Sequence, residues 1–214
     1  MAYALMTSGG KDSTLALDRA QRAGMRVRVL ANIYDHDSGR VRFHGVPRDL
    51  VIAQARALGL DPLTVATSPQ NFETGFLDLL TRLVRLGITG VVFGNIHLED
   101  VRAWYEDRVR NSGLDHIEPL WGEEPATLAR EVVARGFRAV LVSGDLQLGA
   151  ADLVGRELDY DLLDTLATRP DVDPCGEHGE FHTFVYDGPN FCTPVAFERG
   201  ELIVIGGYRF LELK

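Results

Sequence analysis

The hexapeptide Ser8-Gly9-Gly10-Lys11-Asp12-Ser13 is the densest stretch of chemistry near the start of the chain. It follows a short apolar run, Tyr3–Met6, and leads into a segment with Leu15, Leu17 and Ala20 at helical spacing. A strand, a Gly-Gly turn and a helix start in immediate succession make an anion site. The first N–H groups of a helix lack partners and carry partial positive charge. Gly9 and Gly10 let the backbone come close to phosphate oxygens, Ser8 and Ser13 add hydroxyl donors, and Lys11 adds a compact cation. Asp12 suits polyphosphate only if it caps the helix or helps hold a Mg²⁺ ion, and Asp12 or Ser13 is the expected cap. A Walker loop is excluded because Lys11 is followed by Asp12, and the G-x-G-x-x-G dinucleotide fingerprint is absent. Lysine occurs only at Lys11 and Lys214 among 22 basic residues, which sets the loop lysine apart in an arginine-dominated chain.

A second cluster lies far along the chain. Cys175-Gly176-Glu177-His178-Gly179-Glu180-Phe181-His182-Thr183 holds two carboxylates, two imidazoles and a thiol. Glu177 and Glu180 are candidates to orient an amine nucleophile or take its proton, and they suit recognition of a cationic group equally well. An extended Glu180–Val185 puts Glu180 and His182 on one face, with Phe181 and Thr183 on the other. A metal set of His178, His182, Glu180 and Cys175 competes with this reading. The H-x₃-H spacing suits a helix, whereas Gly179 and the residues after it favour a strand. The plainest alternative is a hairpin whose polar residues face water. Cys175 alone reads as a small buried residue.

The elements that position these residues alternate. Strands are expected at Tyr3–Met6, Arg26–Ile33, Leu63–Ala66 and Val91–Phe93. Helices are expected up to Gly24, from Pro47 to Gly59, and over Phe72–Leu86. In the second half, Glu99–Arg110 and Ala126–Ala134 read as helices. Ile117–Trp121, Arg138–Val142 and a single alternating tail, Leu202–Leu213, read as extended. The pattern predicts an α/β fold: a Rossmann-like parallel sheet with helices on both faces, plus a smaller C-terminal α+β domain. The expected division is a nucleotide domain over 1–121 and a substrate-binding, catalytic domain over 122–214. Gly94 and Asn95 tip the fourth strand at the carboxyl edge, where open parallel sheets bind ligands, so Asn95, Glu99 and Arg102 are pocket candidates. Ser143-Gly144-Asp145 ends another strand and is a further candidate for substrate binding. Trp104, Tyr105 and Trp121 read as packing residues.

Composition narrows the class. With 45% apolar and 25% charged residues over 214 positions, the chain is an ordinary globular one. A net charge of −9 argues against a general nucleic-acid binder. Two cysteines, Cys175 and Cys192, are too few for a disulfide framework, so a reducing, cytoplasmic setting is expected. The opening MAYALMTSGG lacks the features of a signal peptide, and no apolar run suffices to span a bilayer.

The hexapeptide resembles the SGGxDS pyrophosphate loop of the N-type ATP pyrophosphatases, whose HUP-type sheet serves GMP synthetase, argininosuccinate synthetase and the tRNA-lysidine and thiouridine enzymes. Cys175–Thr183 is similar to the CGExGE(F/Y)xT element of the diphthine–ammonia ligase family and its bacterial relatives. Gly94, Ile96, Arg102 and Glu106 match that family's middle region, so the resemblance spans the chain. Trp104 stands where those ligases carry a second arginine. His182 replaces an acidic residue of the eukaryotic pattern. The FHT ending and His44-Gly45-Val46-Pro47 look more like the bacterial branch, which need not make diphthamide.

The resemblance implies an enzyme that adenylates a small-molecule or protein-borne carboxylate, releases pyrophosphate, and lets ammonia or another amine displace AMP. Its expected partners are ATP, Mg²⁺ and a second copy of the chain, without a membrane or nucleic acid. With the whole chain used in this way, no glutamine-hydrolysing domain is expected. Lys11, Asp12, Glu177, Glu180 and Arg102 are the expected catalytic residues, with Arg102 at the α-phosphate. Ser8 to Ser13, His44, Gly94 and Asn95 are the expected nucleotide contacts, with His44 toward adenine or ribose. Asp12 is the expected Mg²⁺ ligand. The rival readings are sulfur transfer or tRNA modification on the same fold, and a non-catalytic ATP sensor.

Overall fold

In the computed structural model, which describes all of Met1–Lys214, the alternating half folds as a five-stranded parallel sheet. Its strands are β1 (Tyr3–Met6), β2 (Val27–Asp35), β3 (Asp61–Thr67), β4 (Gly90–Val92) and β5 (Asp115–Ile117), in the order β3-β2-β1-β4-β5. The intervening helices are α1 (Lys11–Arg22), α2 (Arg48–Ala57), α3 (Phe72–Arg85) and α4 (Glu99–Asn111). Strand order reverses between β1 and β4, so the loops after those two strands open at the switch point where such sheets take ligands.

Helices cover both faces. On one side Phe76, Leu79, Leu80 and Leu83 of α3 pack with Val29, Ala31 and Val91 of the sheet and Val109 of α4. These four α3 side chains are wholly buried, and each adds about 1.5–3 kcal/mol relative to exposure. On the other side α1 and α2 contribute Leu15, Leu17, Val51 and Ala55 to a larger core, which continues into the second half of the chain.

That second half holds α5 (Pro125–Ala134), α6 (Tyr160–Ala167) and four antiparallel strands. These are β6 (Arg138–Asp145), β7 (Phe181–Asp187), β8 (Arg199–Ile205) and β9 (Tyr208–Leu213), in the order β7-β6-β9-β8. The tail is therefore a hairpin rather than the single strand its alternation suggests, because Gly206 and Gly207 both take positive φ and reverse the chain. Helix α6, which the periodicity did not single out, starts on Asp159, whose carboxylate accepts the Leu162 N–H at 2.8 Å. Residues 119–121, expected to be extended, form turns beyond β5. Ion pairs join the halves: Arg135 reaches buried Asp18 of α1 through two hydrogen bonds of 3.0 and 2.7 Å, and Arg19 pairs with Glu123 and Glu131.

Candidate active site

The loop between β1 and α1 is held open from within. Thr7 Oγ1 lies 2.6 Å from Ser13 Oγ and accepts the Gly9 N–H at 2.8 Å. Gly9 sits at φ +89, a conformation that favours glycine. The helix cap is Gly10, with no side chain capping it, which corrects the expectation of Asp12 or Ser13. The reason is local: Ser13 and Thr14 turn their hydroxyls back onto the Gly10 carbonyl, at 3.0 and 2.9 Å. The first-turn amides of Asp12 and Ser13 consequently have no hydrogen bond inside the protein. Gly94, at the end of β4, lies against this turn so closely that a Cβ there would stand 2.5 Å from Ser13 N.

The second half completes the loop. Thr183 Oγ1 of β7 accepts the Lys11 N–H at 3.1 Å, and the Val185 N–H donates to the Gly9 carbonyl at 2.9 Å. Gln54 of α2 donates to the carbonyls of Gly9 and Val185, at 3.0 and 2.6 Å. Between these parts lies a cavity of about 520 Å³. Ser8, Gly10, Lys11, Asp12, Ser13, His44, Gly94, Asn95 and Glu177 all line it, together with Asn32, His182 and Thr183. Gly9 stands just behind the wall, against Phe184.

Charge is concentrated at one end. The buried Lys11 ammonium donates to Asp12 Oδ2 at 2.9 Å and to the Cys175 carbonyl. Burial alone would lower its pKa, but Asp12, Cys175 and Glu177 together outweigh burial and raise it. Burial, reinforced by repulsion from Asp12, pushes the Glu177 carboxyl up to about 7, against the pull of Lys11 and of the Ile96 N–H. His44 and His182 stack at 4.4 Å between centroids, and His44 Nδ1 lies 3.2 Å from the Thr183 carbonyl. Burial first, and then His182, hold His44 well below the usual imidazole range; burial and Lys11 bring His182 to about 4. His44 thus packs over Gly10, whose added Cβ would meet its Cε1 at 3.2 Å.

Three expected residues lie elsewhere. Glu180 is buried and turned away from the cavity; its Oε1 accepts the Asp173 N–H at 2.8 Å and its Oε2 the His178 N–H at 3.0 Å. Each Glu180 oxygen thus accepts one backbone amide of the loop that carries Glu177. Arg102 does not line the cavity. It forms an ion pair with Glu118 at 2.9 Å and covers the Trp121 ring at 4.4 Å, because buried Glu118 attracts it from behind Asn95. Glu99 opens α4 and is likewise absent from the lining. The four-residue metal set is not assembled: Cys175 Sγ donates to the Pro125 carbonyl at 3.2 Å, and burial raises its thiol pKa.

The structure adds residues that motif reading passed over. Asn32, 1% exposed in the middle of β2, donates to the Thr7 carbonyl at 2.8 Å and leaves its Oδ1 without a partner at the cavity. Asn95 donates to Glu118 at 2.6 Å. A polar residue inside an apolar strand was the available signal for Asn32; Gln54 and Glu118 had none.

Comparison with known proteins follows the same two halves. Residues 1–116 match the family described as the diphthamide synthase N-terminal domain, and residues 124–206 match the diphthamide synthase C-terminal domain. A Homo sapiens protein named diphthine–ammonia ligase is 26% identical over 245 residues, spanning 100% of this chain and 92% of its own. The Danio rerio protein of that name is 26% identical, spanning 93% of this chain and 87% of its own. The Schizosaccharomyces pombe protein is 25% identical over 92% of this chain, which corresponds to 36% of its own length. No helix is long and apolar enough to cross a membrane.

Proposed function

Because this chain belongs to the diphthamide synthase family, we infer an ATP-dependent carbon–nitrogen ligase that forms an amide through an acyl-adenylate. The observation that carries the reading is the meeting of the Lys11 ammonium, Asp12 and Glu177 in one cavity with the unpaired first-turn amides of α1. Donors gathered at a helix N-terminus suit the β- and γ-phosphates. Asp12, which lines the cavity together with Glu177, would hold Mg²⁺, and the ion would neutralise phosphate charge.

In the first half-reaction a substrate carboxylate oxygen attacks the α-phosphorus and the bond to the β-phosphate oxygen breaks. The phosphate loop retains the departing pyrophosphate. In the second, ammonia attacks the acyl carbon, AMP leaves, and the amine gives up a proton. Glu177 is the cavity carboxylate positioned to orient the amine and take that proton. Glu180 positions the loop, and Arg102 acts only through Glu118 and Asn95. Catalysis then rests on positioning and charge. The relatives' name, diphthine–ammonia ligase, supports ammonia as the amine and a carboxylate as its acceptor. The work divides between 1–121, which carries ATP, and 122–214, which carries the substrate loop. A cytoplasmic setting agrees with two free cysteines. A homodimer is supported by the open edge of β8, where Leu202, Val204 and Ile205 are exposed.

The test is the nucleotide product formed from Mg-ATP, ammonium and a pool of small and protein-borne carboxylates. AMP with pyrophosphate, abolished by Asp12→Ala, is expected. ADP would refute adenylation.

A further inference from the structure

Outside the nucleotide cavity, three side chains with metal-binding chemistry converge from both halves of the fold. His97 lies in the turn between β4 and α4; Asp173 and His178 flank the Cys175-Gly176-Glu177 segment. One ligand atom from each falls within 4.8 Å of the others, and the two imidazoles meet edge to face at 5.5 Å between centroids. None of the three has a role in the ligase reading.

Their backbones are fixed independently of any ion. The single Glu180 carboxylate binds the amides of both Asp173 and His178, so one buried side chain sets the spacing of two of the groups. The third is pinned through its neighbour, whose Ile96 carbonyl accepts the Gly122 N–H at 2.8 Å. Asp173 Oδ1 accepts the Cys175 N–H at 2.7 Å, which orients the carboxylate and leaves Oδ2 open. Such outer bonds are the kind that orient metal ligands.

We propose that His97, Asp173 and His178 form a binding site for a divalent first-row transition ion, zinc by preference. Two imidazole nitrogens and one carboxylate oxygen suit a borderline-soft cation rather than Mg²⁺, which favours oxygen and water. Three protein ligands leave a fourth position to solvent. The ion clasps the turn carrying Gly94 and Asn95 to the loop carrying Glu177, two walls of the same cavity. It is distinct from any ion brought by ATP.

The experiment is a titration of chelator-treated full-length protein with zinc chloride, without nucleotide, followed by calorimetry and by melting temperature. One ion per chain is expected, with His97→Ala and His178→Ala each weakening binding at least about tenfold. Zinc should raise the melting temperature of the wild type and not of either variant. His36→Ala, which removes an exposed histidine elsewhere, should bind as the wild type does. Both ligand positions are at least partly exposed, and melting without metal checks that the variants fold. Cobalt gives a second readout, an intense visible band from a four-coordinate site that either substitution abolishes. No binding at sub-millimolar zinc, or binding that survives both substitutions, would overturn the proposal.

Discussion

Gly94→Ala is the sharpest probe of how the phosphate loop is held. A Cβ at this position would lie 2.5 Å from Ser13 N, 2.7 Å from the Asp12 carbonyl carbon and 2.8 Å from Ser13 Cα. All three are backbone atoms, so no side chain can swing aside. Comfortable separations for such atoms begin at about 3.5 Å, so β4 and the first turn of α1 must part by about 1 Å. Overpacking of this kind costs about 1–3 kcal/mol, less than the roughly 5–15 kcal/mol that keeps a domain folded. The variant should therefore fold, with its melting temperature lowered by several degrees. Misplacement is the larger effect, since a shift of about 1 Å can cost on the order of 10²-fold in rate. The assay is AMP formation with Mg-ATP affinity by calorimetry. Gly113→Ala is the control: Gly113 has φ +77 and nothing within 4 Å of an added Cβ, so it strains the backbone away from the loop. Gly113→Ala should keep its turnover. If Gly94→Ala turns over at the wild-type rate, or if both variants lose activity in step with stability, the displaced-loop argument fails.

Other perturbations address single side chains. Glu180→Ala removes the acceptor of two partly buried amides, at about 0.5–1.5 kcal/mol each, so its denaturant midpoint should drop below that of Glu180→Gln, which keeps one acceptor and should still form AMP. Loss of AMP formation by a stably folded Glu180→Gln would restore this residue to the chemistry. The unpartnered Oδ1 of Asn32 suits the exocyclic amino group of adenine and repels the carbonyl that guanine has there. GTP should therefore bind about tenfold or more weakly than ATP in competition titrations, and equal affinities would refute that placement. His116 is held at about 4 by burial first, then by Arg102 and Arg110. The unfolded chain gains its proton near the ordinary 6.5 and the folded one does not, so its contribution is present above 6.5 and is lost as pH falls toward 4. At pH 5 that loss is about 2 kcal/mol. In His116→Leu the change in unfolding free energy between pH 7 and pH 5 should shift by about this amount relative to wild type; an identical change in both proteins would contradict the assignment.

What could be read in advance was local. Helix ends at Gly24, Gly59 and Gly87 were visible because each glycine takes the positive φ that terminates a helix. The β1–loop–α1 junction was visible because strand, turn and helix are contiguous. The cap at Gly10 was not, because the hydroxyls of Ser13 and Thr14 are spent on a carbonyl, which leaves amides free for a ligand. The inward turn of Glu180 was hidden for a related reason: the amides it satisfies belong to a loop whose bend only the fold defines. Arg102 carried the right chemistry at a position near the site, yet Glu118, a residue with no motif, decides where it points. Family resemblance named the segments correctly, but the role of each residue depended on which backbone groups were left unpaired.

The bond from the Lys11 amide to Thr183 spans 172 positions of chain. Contacts that distant give a high contact order and form late, after much loop-closure entropy has been overcome. A nascent chain can complete its parallel sheet and still hold an unfinished phosphate loop until β7 emerges and docks. Nucleotide affinity during synthesis should thus arrive in one step, once β7 has emerged and docked, rather than with the strand and helix that bear the loop's own residues.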